Sequence, residues 1–195
     1  VKRFSPLVVI GALVLVVASV FVVRNQIRVA QSRAAGAAAR EARERSRVPL
    51  VAELQPVTLS NCELVRVGGP NDGGYLMCGN LMAGLETAYS YGIGGEDSWG
   101  CAVSRTHKVP VHQYDCFNPE SGPCDGGRMK MNVECVGPRA ETVGGRAFDT
   151  LSNQIASNGD TGRRMVVKMD VEGAEWASIL ATPDDVLASI DQMPI

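Results

Sequence analysis

Tyr89-Ser-Tyr-Gly92-Ile-Gly94-Gly95-Glu-Asp97 is the stretch whose reading decides the fold. The run Thr87–Tyr91 has the residues of a buried strand and stops at a glycine-rich turn. Roughly twenty residues later, a spacing used by dinucleotide sites, Val109-Pro-Val-His-Gln-Tyr114 ends in Asp115. A third run, Met165-Val-Val-Lys-Met169, ends in Asp170 and continues as Val-Glu172-Gly173-Ala-Glu175. Each strand therefore stops at a glycine or a carboxylate. Open α/β sheets bind ligands at the carboxyl ends of their strands, where strand order reverses. Glycines there admit a ligand to the backbone, and an acid at this interval can hold ribose hydroxyls. The pattern points to a nucleoside-bearing cofactor.

Outward from these strands the chain alternates. A helix is expected to start at Asp97 or Ser98, either of which can cap it. A further strand is expected over 131–136, a short helix from Phe148 to Ser157 ended by Asn158-Gly159, and a helix continuing from Trp176 to Leu180. Glu175 and Trp176 read as helix start and core. Pro183 to Ile190 reads as one or two more helical turns, and Met193-Pro-Ile195 as the approach to another strand. Arg66-Val-Gly-Gly-Pro-Asn-Asp72-Gly-Gly-Tyr75 has turn chemistry and reads as a loop in which Arg66 and Asp72 can pair. The expected fold is α/β, a Rossmann-like doubly wound, mostly parallel sheet of four strands that is C-terminally incomplete.

Composition shifts divide the chain into three. Pro6–Val23 is eighteen residues without a charge, about 27 Å as a helix and close to the hydrocarbon thickness of a bilayer. Residues 1–23 are thus expected to be an uncleaved transmembrane signal-anchor, since the run is long for a signal peptide and has no clear cleavage site. Residues 24–50 carry many Ala, Arg, Gln and Glu and no aromatic residue, which suits a solvated helical stem. Residues 51–195 have the composition of a globular domain. The arginines from Arg24 to Arg43 favour a cytosolic domain by the positive-inside rule. The six cysteines favour an oxidising lumen, in the Golgi or elsewhere in the secretory pathway. A net charge of −2 argues against a nucleic-acid partner. No cysteine pair has zinc-site spacing, so no metal is expected from them. Cys116 and Cys124, flanking a Pro/Gly/Asp loop, are the favoured disulfide, with Cys62, Cys78, Cys101 and Cys135 as buried hydrophobes.

Three motifs resemble class I S-adenosylmethionine-dependent methyltransferases, and most closely the FkbM-like, membrane-anchored group: Tyr91-Gly-Ile-Gly94-Gly-Glu-Asp97, Tyr114-Asp115, and Val167-Lys-Met-Asp170-Val-Glu172-Gly173-Ala-Glu175-Trp176. The likeness covers about 62–195, and the third motif is the most specific. It implies S-adenosyl-L-methionine as cofactor, with Gly92 and Gly94 against its methionyl part and Asp115 on the ribose. Val136 and Gly137 would lie near the adenine, and Asp170 and Glu172 would face the reacting methyl and a small-molecule or glycan acceptor, on oxygen. The chain departs from the group before the glycines, where Tyr89, Ser90 and Tyr91 replace an acid.

Three functions stay open at this point: a methyltransferase, a membrane-anchored glycosyltransferase, and a silent binding module of the same fold. Asp170 and Glu172 can act as a base for a hydroxyl or as oxygen ligands to a divalent cation. Asp170 can instead cap the following helix. Asp115 can be a turn residue. Lys168 can simply occupy a strand position, and His107 and His112 are given no catalytic part.

Overall fold

Three central strands of nearly uniform burial set the architecture. β3 (Thr87–Tyr91), β4 (Pro110–Tyr114) and β9 (Met165–Met169) run parallel, with Ser90 opposite both Gln113 and Lys168. The edge strands are β5 (Arg128–Asn132), parallel to β4, and β10 (Ile190–Gln192), parallel to β9. The computed structural model describes residues 24–43, 45 and 55–195. Residues Leu59–Ile195 form one compact unit around this sheet. Residues 1–23, expected to be a membrane anchor, lie outside the described residues. Among those described, no helix is long and apolar enough to cross a membrane. Residues 24–43 form helix α1, exposed along its length.

The sheet order is β10-β9-β3-β4-β5. The chain starts at the centre, steps outward through β4 to β5, and returns to the other side of β3 as β9. Strand order therefore reverses between β3 and β9.

Both faces of the sheet are covered. On one, Ala88, Val111 and Val166 pack with Trp99 and Val103 of α2 (Ser98–His107) and with Met77 of a hairpin formed by β1 (Leu64–Gly68) and β2 (Gly74–Cys78). On the other, Tyr89, Tyr91, Tyr114, Val167 and Met169 pack with Leu151 and Ile155 of α3 (Leu151–Ser157). The helices α4 (Glu175–Leu180) and α5 (Asp184–Leu187) bring Ile179 and Val186 to the same face. A small sheet of β6 (Cys135–Val136), β7 (Glu141–Val143) and β8 (Arg146–Asp149) stands beside the main one.

Several expectations are corrected. The strand expected at 131–136 is two: β5 ends at Asn132, Val133 is exposed, and Cys135–Val136 joins β8 instead. Apolar alternation runs on through Met129, Met131, Val133 and Cys135, so periodicity could not mark the break. The helix expected from Phe148 begins at Leu151. Gly144 and Gly145, both at positive φ, turn β7 back into β8, and Thr150 caps α3 by accepting from the Asn153 N–H. Arg66–Tyr75 is not all loop, because its ends belong to the β1–β2 hairpin. Arg66 donates to the carbonyls of Gly69, Asn71 and Gly74, not to Asp72. Trp176 is 58% exposed and outside the core. A fifth parallel strand, β10, pairs with β9 beside the four expected. All six cysteines are paired, as Cys62–Cys78, Cys101–Cys124 and Cys116–Cys135. The favoured Cys116–Cys124 bond is therefore absent, because β6 and the first turn of α2 bring Cys135 and Cys101 to the two sulfurs.

The tyrosine face carries a deeply buried acid. Asp160, 2% exposed, accepts from the hydroxyls of Thr87 (2.9 Å) and Tyr89 (2.8 Å) and lies 3.1 Å from His112 Nε2 and 3.2 Å from Arg163. Burial lowers the His112 pKa; the Asp160 carboxylate offsets part of this, and Lys130 adds to it. The folded protein thus takes up this proton less readily than the unfolded chain does. This contribution to stability is full above the unfolded histidine pKa of about 6.5 and is lost as pH falls below it. Urea midpoints measured on either side of about pH 6.5 should drop on acidification, and His112→Gln should flatten that slope. An unchanged slope in the variant would assign it to other groups.

Candidate functional site

The carboxyl ends of β3, β4 and β9 form one wall of a cleft of about 830 Å³, within the size range of small-molecule sites. The loop 69–73 of the hairpin and Tyr75 form the facing wall. Cys116, Phe117, Val136 and Phe148 line its far end.

Of the residues expected at a cofactor site, Gly92, Gly94, Asp115, Val136, Asp170 and Glu172 all line this cleft. Gly137 does not. It is buried behind Val136, donating its N–H to the Asp149 carbonyl.

The two glycines do different things. Gly92 has φ +73°, and a Cβ there would meet the Asp170 carbonyl oxygen at 1.6 Å. It serves the approach of two protein backbones, where ligand access was expected. Gly94 has φ +64° with nothing within 4 Å of a built Cβ, so it faces open space.

Asp115 is committed to the backbone. Its Oδ2 accepts from the N–H groups of Ile93 (2.9 Å) and Gly94 (3.2 Å), and its Oδ1 from Phe117 and Asn118 (both 2.8 Å). Burial acts to raise its pKa, but these four bonds hold it below the ordinary carboxylate value. A carboxylate offers about four acceptor sites, and these bonds use them all, two on the glycine turn and two on the loop after β4. The turn-residue reading of Asp115 describes what the carboxylate does here.

Asp170 does not cap α4. The cap position is Ala174, without a side-chain bond, and Asp170 Oδ2 accepts from the Tyr75 hydroxyl at 2.8 Å. The intervening loop is held by Glu175, whose carboxylate accepts from the N–H groups of Val171 and Gly173 (both 2.8 Å). Glu175 is thus the helix start expected, and it also braces the turn. Glu172 sits at φ +57°, a conformation that costs a non-glycine residue about 1–3 kcal/mol. Its side chain is presented at the rim, two residues past Asp170.

Four contributors escaped the sequence reading. Tyr75 was assigned to a loop. Phe117, 71% exposed with the Arg146 guanidinium 4.2 Å over its ring, and Phe148 gave no signal of their own. Lys168 did give one, as a lone cation within an otherwise apolar strand. Its Nζ donates to the Gly92 carbonyl and lies 5.7 Å from the Tyr75 ring centroid. Burial lowers its pKa, against the pull of Asp97, Asp170, Asp72 and Asp115. Among the described residues no cluster of three His, Cys, Asp or Glu side chains could hold a metal ion.

Comparison with protein-family models, curated proteins and solved structures returned no match for this chain.

Gly92→Ala should cost at least about 2–3 kcal/mol of folding stability, because neither backbone at the Asp170 contact can yield cheaply. Gly94→Ala should cost only about 1–2 kcal/mol, the conformational penalty alone. Chemical denaturation of the two variants side by side checks this, and equal losses would refute the distinction.

Proposed function

We propose that this chain is an S-adenosylmethionine-dependent methyltransferase with a Rossmann-like, doubly wound domain, acting on a hydroxyl of a small-molecule or glycan acceptor. The observation that carries the reading is the cleft at the point of strand reversal, where the glycine turn after β3 meets Asp170 and Glu172 after β9. Charge supports it. Asp72, Glu96, Asp115, Asp170 and Glu172 line the cleft together with one ammonium, that of Lys168. A ligand carrying a sulfonium and an ammonium is net cationic and suits such a surface. The diphosphate of a nucleotide sugar would face five carboxylates, which weighs against the glycosyltransferase reading.

The residues present fit the cofactor. Gly94 leaves the turn open to it, and Val136, Phe117 and Phe148 offer an apolar end for a base. Asp115 serves through the turn it holds. The cofactor, when bound, supplies an electrophilic methyl group. The work left to the chain is to place the acceptor in line and to take its proton. Asp170 is suited to this. Tyr75 fixes one carboxylate oxygen, and Oδ1 carries no hydrogen bond among the described residues. Glu172 stands beside it as a second carboxylate. The three disulfides favour an oxidising compartment, with residues 1–23 as the anchor and the domain on the lumenal side.

Titration calorimetry should show binding of S-adenosylmethionine and its demethylated product, and none of NAD or a nucleotide sugar. The reverse preference would overturn the assignment, and binding without transfer to any acceptor would leave a silent binding module.

Asp170→Asn keeps an acceptor for the Tyr75 hydroxyl, so melting and cofactor affinity should stay near wild type while turnover falls by about 10²–10⁴-fold. Near-wild-type transfer would remove Asp170 as the base and leave Glu172.

A further inference from the structure

The penultimate residues of the three central strands are all polar: Ser90 in β3, Gln113 in β4 and Lys168 in β9. The register places them side by side, on the face that carries Ala88, Val111 and Val166. Buried parallel strands are usually apolar throughout, and a buried polar group without a partner costs free energy. Two atoms of this row have none: Ser90 Oγ and Gln113 Oε1 are buried and unbonded. Gln113 Nε2 is tied to Asp97 at 2.9 Å. Lys168, 6% exposed, is the member that lines the cleft. An ammonium has three donors, and one is spent on the Gly92 carbonyl. No carboxylate lies within ion-pair distance of it among the described residues, although Asp170 is two positions away in sequence.

We propose that Lys168 is the anchor for the cofactor's carboxylate, so that the amino-acid end of the ligand lies over β3 and β9 beneath Tyr75. The inference rests on the methyltransferase reading and adds a named subsite to it. In a cleft lined by five carboxylates, Lys168 is the one cationic side chain of the lining, and a ligand carboxylate is best placed beside it. The ligand's own ammonium is drawn the opposite way, toward Asp72 on the facing wall, which fixes the orientation of a zwitterionic end. Lys168 is a binding residue here, with no part in proton transfer.

The test compares S-adenosylmethionine with decarboxylated S-adenosylmethionine, which lacks only the carboxylate, by calorimetry on the full chain and on Lys168→Met. The wild-type protein should prefer the carboxylated ligand by at least about tenfold, as for a charged hydrogen bond. Lys168→Met should lose that preference and bind the decarboxylated, more cationic ligand at least as well as wild type does. A purely structural role for Lys168 would weaken both ligands equally and leave the preference intact, which overturns the proposal. If Lys168→Met does not fold, the wild-type comparison stands by itself, and equal affinity for the two ligands overturns the proposal. Binding of neither ligand by wild type overturns the methyltransferase reading, and this inference with it.

Discussion

The contact of Gly92 with the Asp170 carbonyl governs the working edge of this protein. Two strand ends must converge there if a glycine turn and a carboxylate are to share one cleft. Backbone bonds continue the sheet past its strands, from Gly92 N to the Tyr114 carbonyl and from Asp170 N to the Tyr91 carbonyl. A side chain at position 92 would hold the two ends apart. Positive φ at the same residue then turns the chain away from the sheet and leaves Gly94 in open space.

Three carboxylates of this domain act on backbone N–H groups of its loops and helix ends. Asp115 holds both the glycine turn and its own loop, Glu175 holds the loop after β9, and Asp97 caps α2 through the Gly100 N–H while anchoring Gln113. Loops at a sheet edge have donors that no strand satisfies, and an acid can satisfy two or more of them at once. This fixes the cleft wall without lining it with cations. The surface left facing the cavity is acidic, and the polarity of any ligand is constrained by what was needed to hold the loops in place.

The central strands were legible because burial on both faces gives continuous runs with abrupt ends, and each end is marked by glycine or aspartate. The start of α2 was legible from Asp97. The edge of the sheet was not, because alternation in Met129, Met131, Val133 and Cys135 continues through a point where the partner strand changes. The hairpin β1–β2 was hidden by its own turn chemistry, which spreads over the flanking strand ends. Of the candidate site residues that follow a strand in sequence, all but Gly137 line the cleft. Tyr75, Phe117 and Phe148 were not legible, since they reach the cleft by tertiary packing across the hairpin and the small sheet. The different duties of Gly92, Gly94 and Asp115 also lay beyond the sequence, because they depend on which atoms face which.

The pairing of the cysteines bears on how the chain is made. Cys101–Cys124 and Cys116–Cys135 interleave along the sequence, each reaching across a member of the other pair. Cys116 and Cys124 lie much nearer to each other than either lies to its native partner, so the shortest loop to close is a non-native one. Loop closure alone therefore favours the wrong partner, and the native pairing depends on the fold bringing Cys101 of α2 to Cys124 and Cys135 of β6 to Cys116.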